Sequence, residues 1–330
     1  MILTLHRLAM LAAIVAFFVI ILGAWVRLSH AGLGCPDWPG CYGQLTWPDA
    51  VEEIQTANQA FPERPFESGK AWREMIHRYL AGSLVLLVFA MSWLSWRGPK
   101  ALHKFRSLTT ALVVLIIFQA LLGMWTVTLK LKPIIVLAHL LGGLTNFSLV
   151  LWLMFSSRRQ FSDQPSMAVR RLRDPIIVAI IVLGVQIALG GWTSANYAAL
   201  ACPDIPTCGG QWWPEANFRE GFILWREIGV NYEGGLLDGP SRVAIHLTHR
   251  IGAIVTLLVL LTLAFRLLKI PRLRNGGQML MSLILLQFTL GILNVVLYLP
   301  LSNAVAHNAG ATLLLATLLG LLNKTSSRAA

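Results

Sequence analysis

The first long apolar stretch of the chain reads LAMLAAIVAFFVIILGAWVRL, residues 8–28, and Arg27 is its one charged residue. An α-helix needs about 20 predominantly apolar residues to cross the hydrocarbon core of a bilayer. Arg7 precedes the stretch as in a signal peptide, but no clear cleavage site follows and the apolar core is long. The stretch therefore predicts a retained transmembrane helix.

Seven further stretches of the same kind follow along the 330 residues, at 75–96, 107–129, 134–156, 175–194, 243–268, 277–298 and 303–322. Hydrophobic residues make up 56% of the chain and charged residues 13%, and the mean hydropathy is +0.65. A soluble domain has more polar surface than this composition allows. Because spanning segments of this length must satisfy their backbone hydrogen bonds internally, the sequence predicts an all-α integral membrane protein with eight transmembrane helices.

The net charge of +12 is distributed in a way that indicates membrane topology rather than nucleic-acid binding. Lysine and arginine gather in alternate loops, near 97–106, 158–173, 266–274 and 324–328. By the positive-inside rule these loops are cytoplasmic, and of the acidic residues only Asp163 and Asp174 would share that side. We expect a bacterial plasma membrane, both termini in the cytoplasm, and two long periplasmic segments at about 29–74 and 195–242.

The two periplasmic segments carry related loops, CPDWPGCYGQLTWP at 35–48 and CPDIPTCGGQWWP at 202–214. Other matching pairs occur in the same order, namely GAW 23–25 with GGW 190–192, EMIHR 74–78 with HLTHR 246–250, Gln119-x-x-x-Gly123 with Gln287-x-x-x-Gly291, and LAHLLGG 137–143 with VAHNAGA 305–311. An internal repeat with an even number of spans in each copy gives both copies one orientation. We predict two pseudo-symmetric four-helix bundles, residues 1–156 and 175–330, joined by a basic cytoplasmic linker at 157–174.

The two loops hold all four cysteines of the chain. In an oxidising compartment each pair, Cys35 with Cys41 and Cys202 with Cys208, is close enough in sequence to close a small disulfide loop. A structural disulfide that holds the loop together is favoured, and a redox-active disulfide stays open as the alternative. A zinc site is a weak interpretation because no second pair of ligands is nearby.

Four histidines lie at matched places near the outer ends of predicted spans, namely His77, His139, His249 and His307. Ionisable groups inside a span are costly to bury and are usually functional. Two imidazoles from facing helices suit the axial positions of a haem iron, whereas a bare zinc or copper ion would need further ligands close by. The sequence therefore predicts one haem site in each half.

Three other ionisable residues accompany these histidines. Arg78 and Arg250 directly follow theirs and could hold haem propionates or extend to lipid headgroups. Glu74 lies three residues before His77 on the same helical face, where the second half has His246. Glu74 could act as a general base or stabilise developing positive charge, and the alternative is an acid that the helix dipole favours in a first turn.

GLGCPDWPGCYGQ, EMIHR, LAHLLGG, the second cysteine loop, HLTHR and AHNAGA together resemble the haem A synthase family over nearly the whole chain. The resemblance implies an oxidoreductase that oxidises a ring methyl of haem O to the formyl group of haem A for cytochrome oxidase biogenesis. It implies a substrate haem facing His77 and His139, with Glu74 beside it, and a haem b prosthetic group ligated by His249 and His307. The four cysteines match the outer-loop cysteines of that family.

Expected partners are haem O, the protohaem farnesyltransferase that makes it, an unidentified electron donor and membrane lipid, and a homo-oligomer stays open. We expect no nucleic acid. Because an iron held by two histidines has no free coordination position, we expect either His77 or His139 to be displaced during turnover.

Three other functions stay open on the residues alone. A di-haem b-type electron carrier would use the same four histidines without chemistry on the ring, although the difference between Glu74 and His246 argues against it. A thiol–disulfide relay with quinone would normally have closer C-x-x-C spacing and leaves the histidines unexplained. A repeat-built transporter would have broken helices at mid-membrane.

Overall fold

A computed structural model describes residues 1–158 and 165–325 of the chain. Within these ranges eight helices are long and apolar enough to cross a membrane, which confirms the predicted all-α integral membrane class. They are α1 (Ile2–Leu28), α2 (Ser68–Arg97), α3 (Arg106–Thr128), α4 (Pro133–Arg158), α5 (Arg173–Ala195), α6 (Gly239–Leu268), α7 (Arg274–Val296) and α8 (Leu301–Thr325). Short helical segments lie at Val51–Ala60, Lys100–Phe105, Met167–Arg170, Phe218–Gly221 and Pro271–Leu273.

The helices of each half pack in the same pattern. In the first half α1 and α3 each pack against both α2 and α4, whereas α2 and α4 make no extensive contact in the described residues. In the second half α5 and α7 each pack against α6 and α8, with the same gap between α6 and α8. This pattern is consistent with two repeated four-helix bundles, and the domain boundaries at residues 156 and 175 stay a prediction.

The two halves pack against each other through α1, α4, α5 and α8 around one apolar core. Small residues on α1, including Ala9 and Ala12, are completely buried there, as is usual where membrane helices approach closely. At the outer end Arg27 donates to the carbonyl of Ser194 at 2.7 Å, and its guanidinium lies 4.2 Å from the centre of the Tyr197 ring. Polar contacts thus join the halves outside the apolar core.

Turns that follow matched helices share an unusual backbone conformation. His30, after α1, and Tyr197, after α5, both have a φ of 53°, and their rings stack with centroids 5.7 Å apart. A positive φ is uncommon in residues other than glycine. The same conformation at both places supports an internal duplication.

Helix α2 begins inside the first of the two long segments predicted to be periplasmic, which we call the first and second outer loops. The helix begins at Ser68, about two turns before the apolar stretch and before the predicted boundary at residue 74. Its first turns, SGKAWRE, are too polar to give a hydropathy signal, yet Ala71 is completely buried under the cysteine loop. Glu74 therefore lies beyond the first turn, where the helix dipole has less effect on an acid.

The basic linker predicted at 157–174 is described only in part. Residues 159–164, which include Asp163, lie outside the described residues, as do residues 326–330. In the described part, α4 and α5 extend into the two ends of the linker. The membrane side of the linker and of both termini stays a prediction.

The second outer loop reaches over the first half of the chain. The amide of Tyr232 donates to the carbonyl of Lys130 in the turn between α3 and α4, at 3.0 Å. Arg64 of the first outer loop forms an ion pair with Glu233 of the second, with 3.3 Å between Nη1 and Oε2. The two outer loops therefore form one connected cover above the outer ends of the helices.

Candidate functional site

The structure brings the four predicted histidines together as two pairs. His77 on α2 and His139 on α4 lie on the two helices of the first half that make no extensive contact in the described residues, and their rings approach α1 and α3, which pack between those helices. His249 on α6 and His307 on α8 occupy the equivalent places in the second half, with their rings against α5 and α7. Each pair thus offers two imidazoles from facing helices.

Every one of these rings packs edge-on against a glycine of the neighbouring helix. A Cβ added to that glycine would lie 3.0–3.2 Å from Cε1 of the ring, which is closer than nearly all real Cβ contacts. The pairs are Gly23 with His77, Gly123 with His139, Gly190 with His249 and Gly291 with His307. GAW, GGW and the two Gln-x-x-x-Gly motifs mark the repeat in the sequence, but their glycines are not among the predicted site residues.

Glutamines contact three of the four histidines in the described residues. Gln119 Nε2 lies 3.1 Å from Nδ1 of His139 and donates to its carbonyl at 2.7 Å. Gln186 Nε2 lies 3.0 Å from both Nδ1 and the carbonyl oxygen of His249. Gln287 Nε2 lies 3.2 Å from Nε2 of the fourth histidine. Gln186 is absent from the predicted repeat motifs because valine, not glutamine, stands at the matching place in the first half.

Glu74 and His246 have the same structural contact. The amide of Cys35 donates to Oε2 of Glu74 at 3.0 Å, and the amide of Cys202 donates to Nδ1 of His246 at 3.3 Å. Both acceptors are 4% exposed, so neither is a solvated surface group. Glu74 also accepts from Arg78, which makes it the acidic member of a largely buried ion pair.

Arg78 and Arg250 bind the cysteine loops, a role that the sequence does not predict. Arg78 Nη1 donates to the carbonyls of Asp37 at 2.9 Å and Gly40 at 2.6 Å, as well as to that of the intervening proline. Arg250 donates to the carbonyls of Thr207 and Cys202, both at 2.8 Å. The guanidinium groups therefore fix the loops to α2 and α6, and the contact with haem propionates stays a prediction.

Both cysteine pairs form disulfides, Cys35 with Cys41 and Cys202 with Cys208, as the sequence predicts. All four cysteines are at most 3% exposed. Asp204 braces the second loop, because its carboxylate accepts the hydroxyl hydrogen of Thr207 and the amides of the two glycines that follow the disulfide. These bonds lower the pKa of Asp204 from 3.8 to about 2.

The donor set fits a haem rather than a bare metal ion. No group of three or more His, Cys, Asp or Glu side chains that could hold a metal ion occurs in residues 1–158 and 165–325. Each histidine pair offers two nitrogens on helices that leave a gap between them, and Nδ1 of both His77 and His307 is buried without a hydrogen-bond partner in the described residues. Two facing imidazoles match the axial positions of a haem iron, whereas structural zinc needs four ligands.

Comparison with known proteins agrees with this donor set. Residues 6–319 match the COX15-CtaA family, described as cytochrome oxidase assembly protein. The chain belongs to this family. A heme A synthase from Shewanella oneidensis is 48% identical over 300 residues, which cover 91% of this chain and 90% of that protein.

More distant relatives carry the same name. A heme A synthase from Shouchella clausii is 28% identical to this chain, and the alignment covers 78% of this chain and 74% of that protein. Another, from Rhizorhabdus wittichii, is 27% identical, and the alignment covers 94% of this chain and 90% of that protein. Family membership confirms the resemblance that the motifs indicate.

Proposed function

We infer that this chain is a haem A synthase, an oxidoreductase that converts haem O to haem A for cytochrome oxidase biogenesis. The observation that carries this conclusion is the 48% identity to the Shewanella oneidensis protein along nearly the full length of both chains. The paired histidines on facing helices agree with it, because the reaction requires a bound haem.

We further propose that the substrate haem binds between His77 and His139, and that haem b is held between His249 and His307. When bound, the haem iron supplies the oxidising chemistry that a ring methyl requires. The protein contributes the four imidazoles and the gap between facing helices.

Glu74 supports the assignment of the substrate to the first half. Its Oε2 accepts the amide of Cys35 and its Oε1 accepts from Arg78, so the carboxylate is held in one position one helical turn before His77. His246 makes the matching contact with a neutral nitrogen, so the second half has no negative charge at this place. A fixed carboxylate can take up a proton or stabilise positive charge that develops on a neighbouring substrate.

The cysteine loops serve in this proposal as covers for the outer ends of the two sites. Arg78 and Arg250 tie each loop to the helix that carries a site histidine. The burial of the four cysteines supports a structural role for the disulfides, because thiol–disulfide exchange needs an attacking thiolate to reach a sulfur atom. It also weighs against the thiol–disulfide relay.

The chain has the eight apolar helices of a multi-pass membrane protein, and its relatives are bacterial. We propose the bacterial plasma membrane as its location, with both termini cytoplasmic and the cysteine loops periplasmic. The basic loops support this orientation, and the disulfides agree with an oxidising outer side. Haem O would come from the farnesyltransferase reaction, and electrons from a separate donor.

The decisive experiment is to express the chain in cells with and without a source of haem O and to identify the extracted haems by chromatography and mass. We expect haem A only when haem O is supplied. A matched control is His103→Gln, which changes a loop histidine outside both sites and should convert normally. Bound haem b with no haem A under either condition would instead support the di-haem electron carrier.

A further inference from the structure

An arginine of the first half shares a helical face with a site histidine. Arg73 stands four residues before His77 on α2, and residues four apart lie on the same side of a helix. Since a helix rises about 1.5 Å per residue, the backbone of Arg73 lies about one turn closer to the outer end than that of His77. Arg73 therefore stands one helical turn outward from a proposed haem ligand.

The guanidinium of Arg73 lies against two tryptophans where α1 and α2 meet. Its Cζ is 5.3 Å from the centre of the Trp25 ring and 5.8 Å from the centre of the Trp72 ring. Trp25 stands two residues after Gly23, the glycine of α1 that the ring of His77 contacts. The same pair of helices therefore holds both the imidazole and the guanidinium.

Arg73 has no acidic partner in the part of the chain that the structure describes. Its Nε is buried without a hydrogen-bond partner, and none of the ion pairs among the described residues includes it. The tryptophan rings attract the positive charge but provide no oxygen acceptor for the five N–H groups of a guanidinium. A partly buried arginine with unused donors is suited to binding an anion from outside the chain.

The neighbouring Arg78 faces another side of α2. Together with Ala71 and Glu74 it forms the stripe that contacts the first cysteine loop. Its guanidinium is occupied by Glu74 and by carbonyl groups of that loop. Each residue turns a helix by about 100°, so Arg73 is displaced from this stripe. Arg73, and not Arg78, shares its face with the site histidine.

The second half has an apolar residue at the matching place. Ile245 stands four residues before His249, is 1% exposed and packs in one cluster with Trp192, the counterpart of the tryptophan on α1. The indole N–H of Trp192 donates to the carbonyl of Gly221 at 2.9 Å. Apolar packing thus closes the second half where the first half has a cation. The two proposed haem sites differ here by one positive charge.

We propose, resting on the substrate site of the proposed function, that Arg73 binds a propionate of the haem held in the first half. A guanidinium matches the geometry of a carboxylate and can donate two parallel hydrogen bonds to it. Because both propionates of a haem extend from one edge of the ring, this contact selects the direction in which the ring lies between α2 and α4. The second half holds its haem without such a contact.

The test compares the binding of haem O with that of its dimethyl ester, which keeps the ring, the iron and the tail but has no carboxylate. The full chain is purified from cells that make no haem O and is titrated with each compound, and the rise of the Soret band gives the dissociation constants. Arg73→Ile copies the second half, and Arg73→Lys keeps the charge. Arg97→Ile is the matched control, because Arg97 also lies against a tryptophan but at the opposite end of α2.

We expect the wild-type chain to bind haem O about 10-fold or more tightly than the ester, as a hydrogen bond between charged groups predicts. Arg73→Ile should lose this preference, with weaker binding of haem O and unchanged binding of the ester. Arg73→Lys should recover part of the preference, and Arg97→Ile should bind both compounds as the wild type does. Simple packing of Arg73 on the tryptophans would not make binding depend on the carboxylates.

Three results would overturn the proposal. One is equal binding of haem O and its ester by the wild-type chain, which needs no variant and so decides the matter even if Arg73→Ile fails to fold. The second is unchanged binding of haem O by Arg73→Ile. The third is an equal loss of affinity for both compounds in that variant, as expected if the guanidinium only packs or binds a lipid phosphate. Failure of the proposed function has a different signature, because the wild-type chain would then bind neither compound.

Discussion

Single side chains determine how each cysteine loop is attached to its helix. Glu74 and His246 stand at matched places, and each accepts the amide of the first cysteine in its loop. Since an imidazole serves in one half, the contact requires an acceptor but no charge. The charge of Glu74 pairs with Arg78, and we propose that the carboxylate also has a role in catalysis.

The first prediction removes that charge while retaining the loop contact. Glu74→Gln keeps an oxygen that can accept the amide of Cys35, and Arg78 keeps its carbonyl acceptors in the cysteine loop after its ion pair is lost, so we expect a folded protein with normal haem content. Haem A formation should fall by about 100-fold or more, the lower end of what general acid–base groups contribute. The ratio of haem A to haem O in extracts measures the effect. Glu74→His, which copies the second half, is the control for the loop contact. Full conversion of haem O by Glu74→Gln would show that Glu74 only holds the loop and has no catalytic role.

A second prediction at the scale of single residues concerns the pH dependence of the second cysteine loop. Hydrogen bonds hold the pKa of Asp204 at about 2, below its ordinary 3.8. Because the folded-state pKa is depressed, the carboxylate stabilises the loop fully above about pH 4, and this contribution is lost as pH falls through 2. The rate at which a phosphine reduces the Cys202–Cys208 disulfide should therefore rise between pH 4 and pH 2. Asp204→Asn should remove that step, and a step of equal size in this variant would refute the explanation.

At the scale of helices, each site depends on a glycine that lets an imidazole approach the neighbouring helix. The four glycines lie on α1, α3, α5 and α7, and the four histidines lie on α2, α4, α6 and α8. Odd-numbered helices thus supply the supporting surface and even-numbered helices supply the proposed ligands. The same division recurs in both halves because the unit is repeated.

The third prediction compares two glycines of α5. Gly190→Ala would place a Cβ 3.1 Å from Cε1 of His249, and overpacking of this kind typically costs about 1–3 kcal/mol. We expect a lower haem b content and a lower melting temperature. Gly184→Ala is the control, because a Cβ there has no neighbour within 4 Å and alanine is the better helix former. Equal haem contents in the two variants would contradict the proposed role of the glycine.

The sequence predicts the helices and the disulfides well because both depend on local patterns. Apolar stretches of spanning length mark the helices, and the two cysteine loops are nearly identical in form. Hydropathy misses the polar first turns of α2, which the buried Ala71 helps to stabilise under the loop. The contacts of Arg78 with the cysteine loop and of Gln186 with His249 are missed as well, since each depends on a partner distant in sequence.

At the scale of the whole molecule, the two halves share one core and one connected outer cover. Helices α1 and α4 of the first half pack against α5 and α8 of the second. Arg27 joins the outer ends through the carbonyl of Ser194 and the ring of Tyr197. The two proposed haem sites therefore lie in halves that pack directly against each other.

The fourth prediction tests this contact between the halves. The chain is divided within residues 159–164, and the two parts are expressed together with a tag on one of them. We expect the parts to purify together, and Arg27→Met to weaken their association by about 10-fold, because it removes a charged hydrogen bond. Arg97→Met is the control, since Arg97 contacts Trp93 of its own helix. Equal recovery with both variants would contradict the role of Arg27.

The most direct measurement for the whole account is the Soret absorbance per mole of purified protein. It should be taken for the wild-type chain and for a variant in which His77, His139, His249 and His307 are all replaced by alanine, with folding checked by helical circular dichroism. We predict a strong Soret band in the wild type and none in the folded variant. An undiminished band after loss of all four imidazoles would contradict haem ligation by the paired helices.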